Sequence, residues 1–148
     1  MKRSAALAPL SRDHHVALQE ALRLRRATET DIAVAAARFV AFWRRSGARH
    51  FQVEEEIVLQ ALPPGDPEWD ATVARVRAEH AEITLRAEAL DDVDVDAARA
   101  LGETLTAHVR FEERVVFPLL ERALDDKRLG ALGAAVEAAE RPRRPAGP

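Results

Sequence analysis

The chain has no cysteine and no tyrosine. The first absence excludes disulfides, thiolate nucleophiles, thiolate zinc sites and cysteine-ligated iron–sulfur clusters. The second excludes a tyrosyl radical. Glycine is scarce, at six among 148 residues, and no segment alternates β-branched or aromatic residues with period two, so strand architectures are not expected. No apolar run approaches the ~20 residues that span a bilayer, and no membrane partner is expected. The N-terminal segment starts basic, but its apolar stretch is short and interrupted by Pro9. That is unlike a secretory signal, and the cytoplasm is the expected location. A net charge of −3 and a pI near 6.0 lack the basic footprint of a nucleic-acid binder.

What is present is helix chemistry. Alanine, leucine, arginine and glutamate dominate, and 47% apolar with 32% charged residues describes one globular unit with one core. Punctuation divides the chain into amphipathic segments. The first spans about 11–27, with Ser11 or Asp13 as its cap. The second spans about 30–62, with a kink or break at Ser46-Gly47, and is stopped by Pro63-Pro64-Gly65. The third begins at Pro67, a favoured first-turn position, and ends near Leu90. The fourth runs from about Asp96 to Leu124, with Pro118 expected to remove a hydrogen bond and kink its last turns. A short fifth covers about 127–140, and a Pro-rich tail over 141–148 is expected to be mobile. The fold class is therefore all-α: an up-down-up-down four-helix bundle with a short C-terminal fifth helix.

The five histidines are His14, His15, His50, His80 and His108, and every one of the four long segments carries at least one. On a wheel of ~100° per residue, His50 is centred on the apolar face formed by Ile32, Phe39, Trp43, Ile57 and Ala61, with Glu54 at its edge. His108 and Glu112 lie in the face of Leu101, Leu105, Val115 and Leu119. His80 shares a face with Trp69, Val73, Val76, Ile83 and Ala87. His14 lies in the stripe of Leu10, Ala17, Leu18 and Ala21. His15 is at the rim, and a tilt of the helix would exchange the two. Glu55, Glu56 and Glu113 point away from the core and read as solvated charges. The phenylalanines and Trp43 read as packing residues that would also keep a site dry.

His50–Glu54 and His108–Glu112 both read His-x-x-x-Glu, a spacing that puts an imidazole and a carboxylate on one face, one turn apart. Iron accepts both ligand types, and a carboxylate can bridge two metals. A core glutamate without a partner costs several kcal/mol, so inward glutamates beside inward histidines point to a cation. Rise per residue (~1.5 Å) puts His50 level with His80, and His80 level with His108. Between His14 and His50 a mismatch of ~10 Å must be taken up by the Ser46-Gly47 break or by overhang of the second helix. The Glu-x-x-His pattern of ferritin-like bundles and the His-Glu-x-x-His of zinc proteases are both absent.

The segments Leu10–His15, His50–Glu55, His80 and His108–Pro118 resemble the hemerythrin-like (HHE cation-binding) domain, over about 7–124, leaving 125–148 as a short helix and tail. The most specific stretch is His108-Val-Arg-Phe-Glu112-Glu113 followed by Phe117-Pro118. The resemblance implies a four-helix bundle holding two non-heme irons, oxo- or hydroxo-bridged. It implies that His14 or His15 serves one iron with His50, that His80 and His108 serve the other, and that Glu54 and Glu112 bridge. The chain departs from the oxygen carriers of that family at Thr84, where they place a further histidine, and in its last carboxylate. This implies a more open coordination and directs the functional expectation to binding or sensing of dioxygen, peroxide or nitric oxide. The alternative is a di-iron enzyme that turns over peroxide or oxidises ferrous iron. With no second domain fused, a signalling output would need a protein partner.

Overall fold

The computed structural model describes residues 2–141. Among them there is no strand, and five helices account for most of the chain. The tail expected to be mobile lies, beyond Arg141, outside the described residues. Helix α1 is Ala8–Arg25. Helix α2 covers 32–58 without interruption, as α-turns at Ile32–Phe42 and Ala48–Val53 alternating with π-turns at Trp43–Gly47 and Glu54–Val58. Helix α3 is Pro67–Ala89. Helix α4 covers 95–123, with one π-turn at Glu112–Val116 between Val95–Phe111 and Phe117–Ala123. Helix α5 is Asp126–Glu140.

The starts of α3, α4 and α5 follow local chemistry. Asp66, Asp94 and Asp125 cap them by accepting from the backbone N–H groups of Trp69, Ala97 and Arg128. Gly65 turns the chain before α3 at φ 122°, a conformation that glycine adopts without strain. Helix α1 begins earlier than its expected caps. Ser4 caps a short 3₁₀ turn, Ala5–Leu7, that leads into it, and Pro9 occupies the first turn, where a missing N–H costs nothing. Ser11 and Asp13 are thereby free for the work described below.

Helix α1 packs most extensively on α4, and also on α2, while α3 packs on α4. Helix α5 lies against the Ala5–Leu7 turn and the second half of α2. The core forms two apolar clusters. One gathers Ala21, Leu24, Phe39, Trp43, Phe51, Ile83, Leu101 and Leu105. The other gathers Leu10, Val53, Val58, Val76, Val116, Phe117 and Leu120.

Two expectations change at the π-turns. Helix α2 does not break at Ser46-Gly47 but widens, so the register difference against α1 is carried by overhang of an unbroken helix. In α4, Pro118 is the second residue after a π-turn, so its lost hydrogen bond falls where the ladder has already changed pitch. Each π-turn inserts a residue and advances the phase of the helix. A uniform wheel consequently fails past Glu54 and Glu112. Val115, placed inward by the wheel, is exposed, while Val116 and Phe117 are buried; Ile57 is half-buried, while Val58 is buried.

Candidate metal centre

On each of the first four helices the two apolar clusters leave a polar gap between them. In α1 His14 separates Leu10 from Ala17. In α2 His50 and Glu54 flank the point where the clusters meet, at Phe51 and Val53. His80 separates Val76 from Ile83, and Glu112 lies between Val109 and Val116. The periodicity that buries the leucines and valines therefore carries four imidazoles and two carboxylates to one depth. Glu54 and Glu112 are 1% and 2% exposed, and each starts a π-turn that follows a His-x-x-x-Glu segment.

These six residues form two groups of four: His14, His50, Glu54 and Glu112, and Glu54, His80, His108 and Glu112. Within each group one ligand atom per residue lies within 4.8 Å of all the others. Both glutamates belong to both groups. Glu54 turns Oε1 to His50 Nε2 (2.8 Å) and His14 Nε2 (3.5 Å), and Oε2 to His80 Nε2 (3.0 Å). Glu112 turns Oε2 to His14 Nε2 (3.5 Å), and Oε1 to His108 Nε2 and to His80 Nε2 (3.6 Å).

Close as they are, most of these atoms make no hydrogen bond. Nε2 of His14, His50, His80 and His108, both oxygens of Glu54 and Oε1 of Glu112 are buried without a hydrogen-bond partner among the described residues. Buried polar groups are ordinarily satisfied, and an orphaned buried charge is expensive. Inward nitrogens and carboxylate oxygens gathered this closely, and lacking hydrogen bonds, fit a cation-binding site. The donor set, imidazole and carboxylate with no sulfur, suits iron.

The outer ring nitrogens fix the orientation of three of the rings. His14 Nδ1 bonds Glu113 (3.0 Å), His50 Nδ1 bonds Asp13 (2.9 Å) and His108 Nδ1 bonds Glu79 (2.9 Å). A carboxylate at Nδ1 holds the proton there and leaves the Nε2 lone pair aimed inward, the arrangement usual for metal-binding histidines. His80 differs. Its Nδ1 has no hydrogen-bond partner, with Glu55 3.9 Å away, and its ring is held by stacking on Phe51 at 3.9 Å between centroids. Phe117 stacks on His14 in the same way at 5.3 Å.

Glu113 is thus not a solvated helix charge. It also accepts from Ser11 Oγ and pairs with Arg3. Asp13 and Glu79 were not singled out by the wheel at all. The available signal is adjacency: Asp13 precedes His14, Glu79 precedes His80 and Glu113 follows Glu112. In every case the acid serves a histidine of another helix, because a step of one residue rotates the side chain towards the neighbouring helix. His15 is exposed, 3.4 Å from Gln19, and is not brought to the cluster. Thr84, half-buried, lines a groove over His80 together with Glu55 and Arg77.

Without a cation the cluster keeps protons. Burial alone would lower the histidine pKa values, but Glu54 and Asp13 hold His50 up at about 10, and Glu112 and Glu79 hold His108 up at about 9. His14 and His80 are raised against the same burial, chiefly by Glu112. Burial pushes the Glu54 carboxyl upward, and the histidines, led by His50, more than reverse it, to well below the ordinary range. Protons on imidazole thereby occupy the electrostatic role that a metal would take.

The family model for the hemerythrin HHE cation-binding domain matches residues 6–120. No curated protein and no solved structure matches the chain. Among the described residues no helix is long and apolar enough to cross a membrane.

Proposed function

The chain belongs to the hemerythrin HHE cation-binding domain family, and from that premise we propose that it is a non-heme di-iron protein that binds or senses a small oxidising or diatomic ligand: dioxygen, peroxide or nitric oxide. In this reading α1 to α4 run up-down-up-down around the centre, His14 and His50 hold one iron, His80 and His108 hold the other, and Glu54 and Glu112 bridge. One observation carries it. Two four-residue groups share both glutamates, and their inward nitrogens and most of their inward oxygens are buried without partners.

Geometry supports a pair of cations rather than one: Glu54 and Glu112 each turn one oxygen to the His14–His50 side and the other to the His80–His108 side. When bound, such a pair supplies redox electrons and open positions for the ligand. The residues do the rest. The Nδ1 partners hold three rings in register, Phe51 and Phe117 shield two rings from water, and two of the three π-turns begin at the bridging glutamates. The two imidazoles and two carboxylates on each side leave coordination open, and Thr84 adds no imidazole beside His80.

The test is iron stoichiometry after anaerobic loading of the full chain, with an optical spectrum before and after air. Two irons per chain are expected, falling to one or none in Glu54→Ala and Glu112→Ala. A wild-type chain that retains at most one tightly bound iron overturns the reading.

A further inference from the structure

The histidine face formed by His14, His50 and His108 also closes the inner end of a cavity of about 220 Å³. Its sides are Ala17 of α1, Phe42, Trp43 and Phe51 of α2, and Leu105 and Val109 of α4. Its mouth opens between α1 and α2, where Val16 and Arg45 are exposed and Ser46 is half-buried. The first π-turn of α2 shapes this wall. At Gly47 a Cβ would lie 2.8 Å from the Trp43 ring and 3.2 Å from the Phe42 ring, so both aromatics rest on bare backbone there.

Size and lining restrict the occupant. A diatomic molecule is comparable to one water, whose share of liquid volume is about 30 Å³, and would leave most of the cavity empty. An apolar cavity of about 150 Å³ stays dry and takes up benzene or xenon. Sites for drug-sized ligands begin near 300 Å³. This cavity falls between those limits and fits about six to nine heavy atoms. Among the described residues the only carboxylate on its wall, Asp13, is engaged by His50 Nδ1, and the deep walls carry no fixed cation beyond the histidines.

We propose that the cavity is a binding pocket for a neutral, mainly hydrocarbon molecule of benzene to toluene size, seated against the histidine face of the centre. The proposal rests on the di-iron reading for its chemical purpose, since it makes a small organic molecule the companion or substrate of that centre. Binding itself requires only the cavity.

The test titrates the full chain, as purified and with iron content measured in the same samples, with toluene. The signal is Trp43 emission in a Trp69→Phe background, Trp69 being buried in the other apolar cluster, together with melting temperature. Saturable change of Trp43 emission and a raised melting temperature are expected. Ala17→Leu, which fills the cavity, should weaken toluene binding at least tenfold. Leu105→Ala, which enlarges it, should shift preference towards propylbenzene, and this second variant keeps the test decisive if the first fails to fold. Benzoate should bind far more weakly than toluene. The proposal is overturned by no saturable response up to the solubility of toluene, by unchanged affinities in the variants that fold, or by benzoate binding as tightly as toluene. A chain that takes up no iron yet binds toluene overturns the di-iron reading and leaves the pocket standing. An iron-loaded chain that ignores toluene does the reverse.

Discussion

Glu112 and Glu113 are adjacent in the chain and do different things. Glu112 enters the centre, while Glu113 reaches across to α1, where it holds His14 Nδ1, Ser11 and Arg3. Removing the first deletes a ligand, and removing the second loosens one. Neutralising an outer carboxylate typically costs 10–100-fold in metal affinity. Asp13→Asn, Glu79→Gln and Glu113→Gln should each weaken iron binding by about that factor while leaving the number of bound irons unchanged. Glu56→Gln, on an exposed side chain outside the cluster, should do neither. Competition against a chelator of known affinity checks this, and equal losses in Glu56→Gln and Glu113→Gln would refute the assigned division. A helix wheel needs only spacing, so it placed His50, Glu54, His80, His108 and Glu112 on apolar faces but left the choice between His14 and His15 open; burial of His14 and exposure of His15 come from the structure. The outer acids were not legible. Which histidine an acid meets depends on which helix lies next to it, and Asp13 meets His50 rather than its neighbour His14.

At the scale of helices, composition and capping residues were enough to place five elements, with the start of α1 set about three residues late and the end of α2 about four residues late. They were not enough to reveal three π-turns. A π-turn lengthens each hydrogen bond by one residue, as in Leu59 N–H to the Glu54 carbonyl at 2.8 Å, and no residue type demands it. Its trace in the sequence is indirect: burial that slips from Val115 to Val116. Helix packing itself gives a sharper test. A Cβ on Gly102 of α4 would lie 2.6 Å from the Ala21 carbonyl oxygen and 3.0 Å from the Arg25 amide, both backbone atoms of α1. Gly130 of α5 has nothing within 4 Å of the same position. Alanine is worth up to ~1 kcal/mol over glycine inside a helix, but forcing two backbones apart costs about 1–3 kcal/mol. Gly130→Ala should therefore raise the melting temperature slightly and Gly102→Ala should lower it by several degrees. Thermal unfolding of the two variants decides the matter, and a stabilised Gly102→Ala would mean that α1 and α4 do not approach so closely.

For the molecule as a whole, the centre couples proton, metal and fold. In the metal-free protein His50 and His108 titrate at about 10 and about 9, while unfolded histidine titrates near ~6.5. The folded chain thus holds protons that the unfolded chain has lost, and stability falls as pH rises. The contribution is complete below about pH 6.5 and disappears through about pH 9 to 10, at up to ~1.4 kcal/mol per pH unit for each proton retained. On the acid side the sign reverses. Glu54, Glu79 and Glu113 have lowered pKa values, so their contribution is present above the unfolded carboxylate range and is lost as pH falls below that range through the lower folded values. Metal-free protein should be most stable in mildly acidic solution. Iron that replaces those protons stabilises only the folded state, by roughly 4 kcal/mol when present at a thousandfold excess over its dissociation constant. The melting temperatures of the iron-loaded and metal-free forms should consequently diverge between pH 6.5 and 9, and iron uptake near neutral pH should release protons into weakly buffered solution. Melting curves across that range, with a pH indicator during anaerobic loading, measure both. Metal-free protein that melts at the same temperature at pH 6 and pH 9, with no proton release on loading, would show that the buried histidines are already neutral before metal binds.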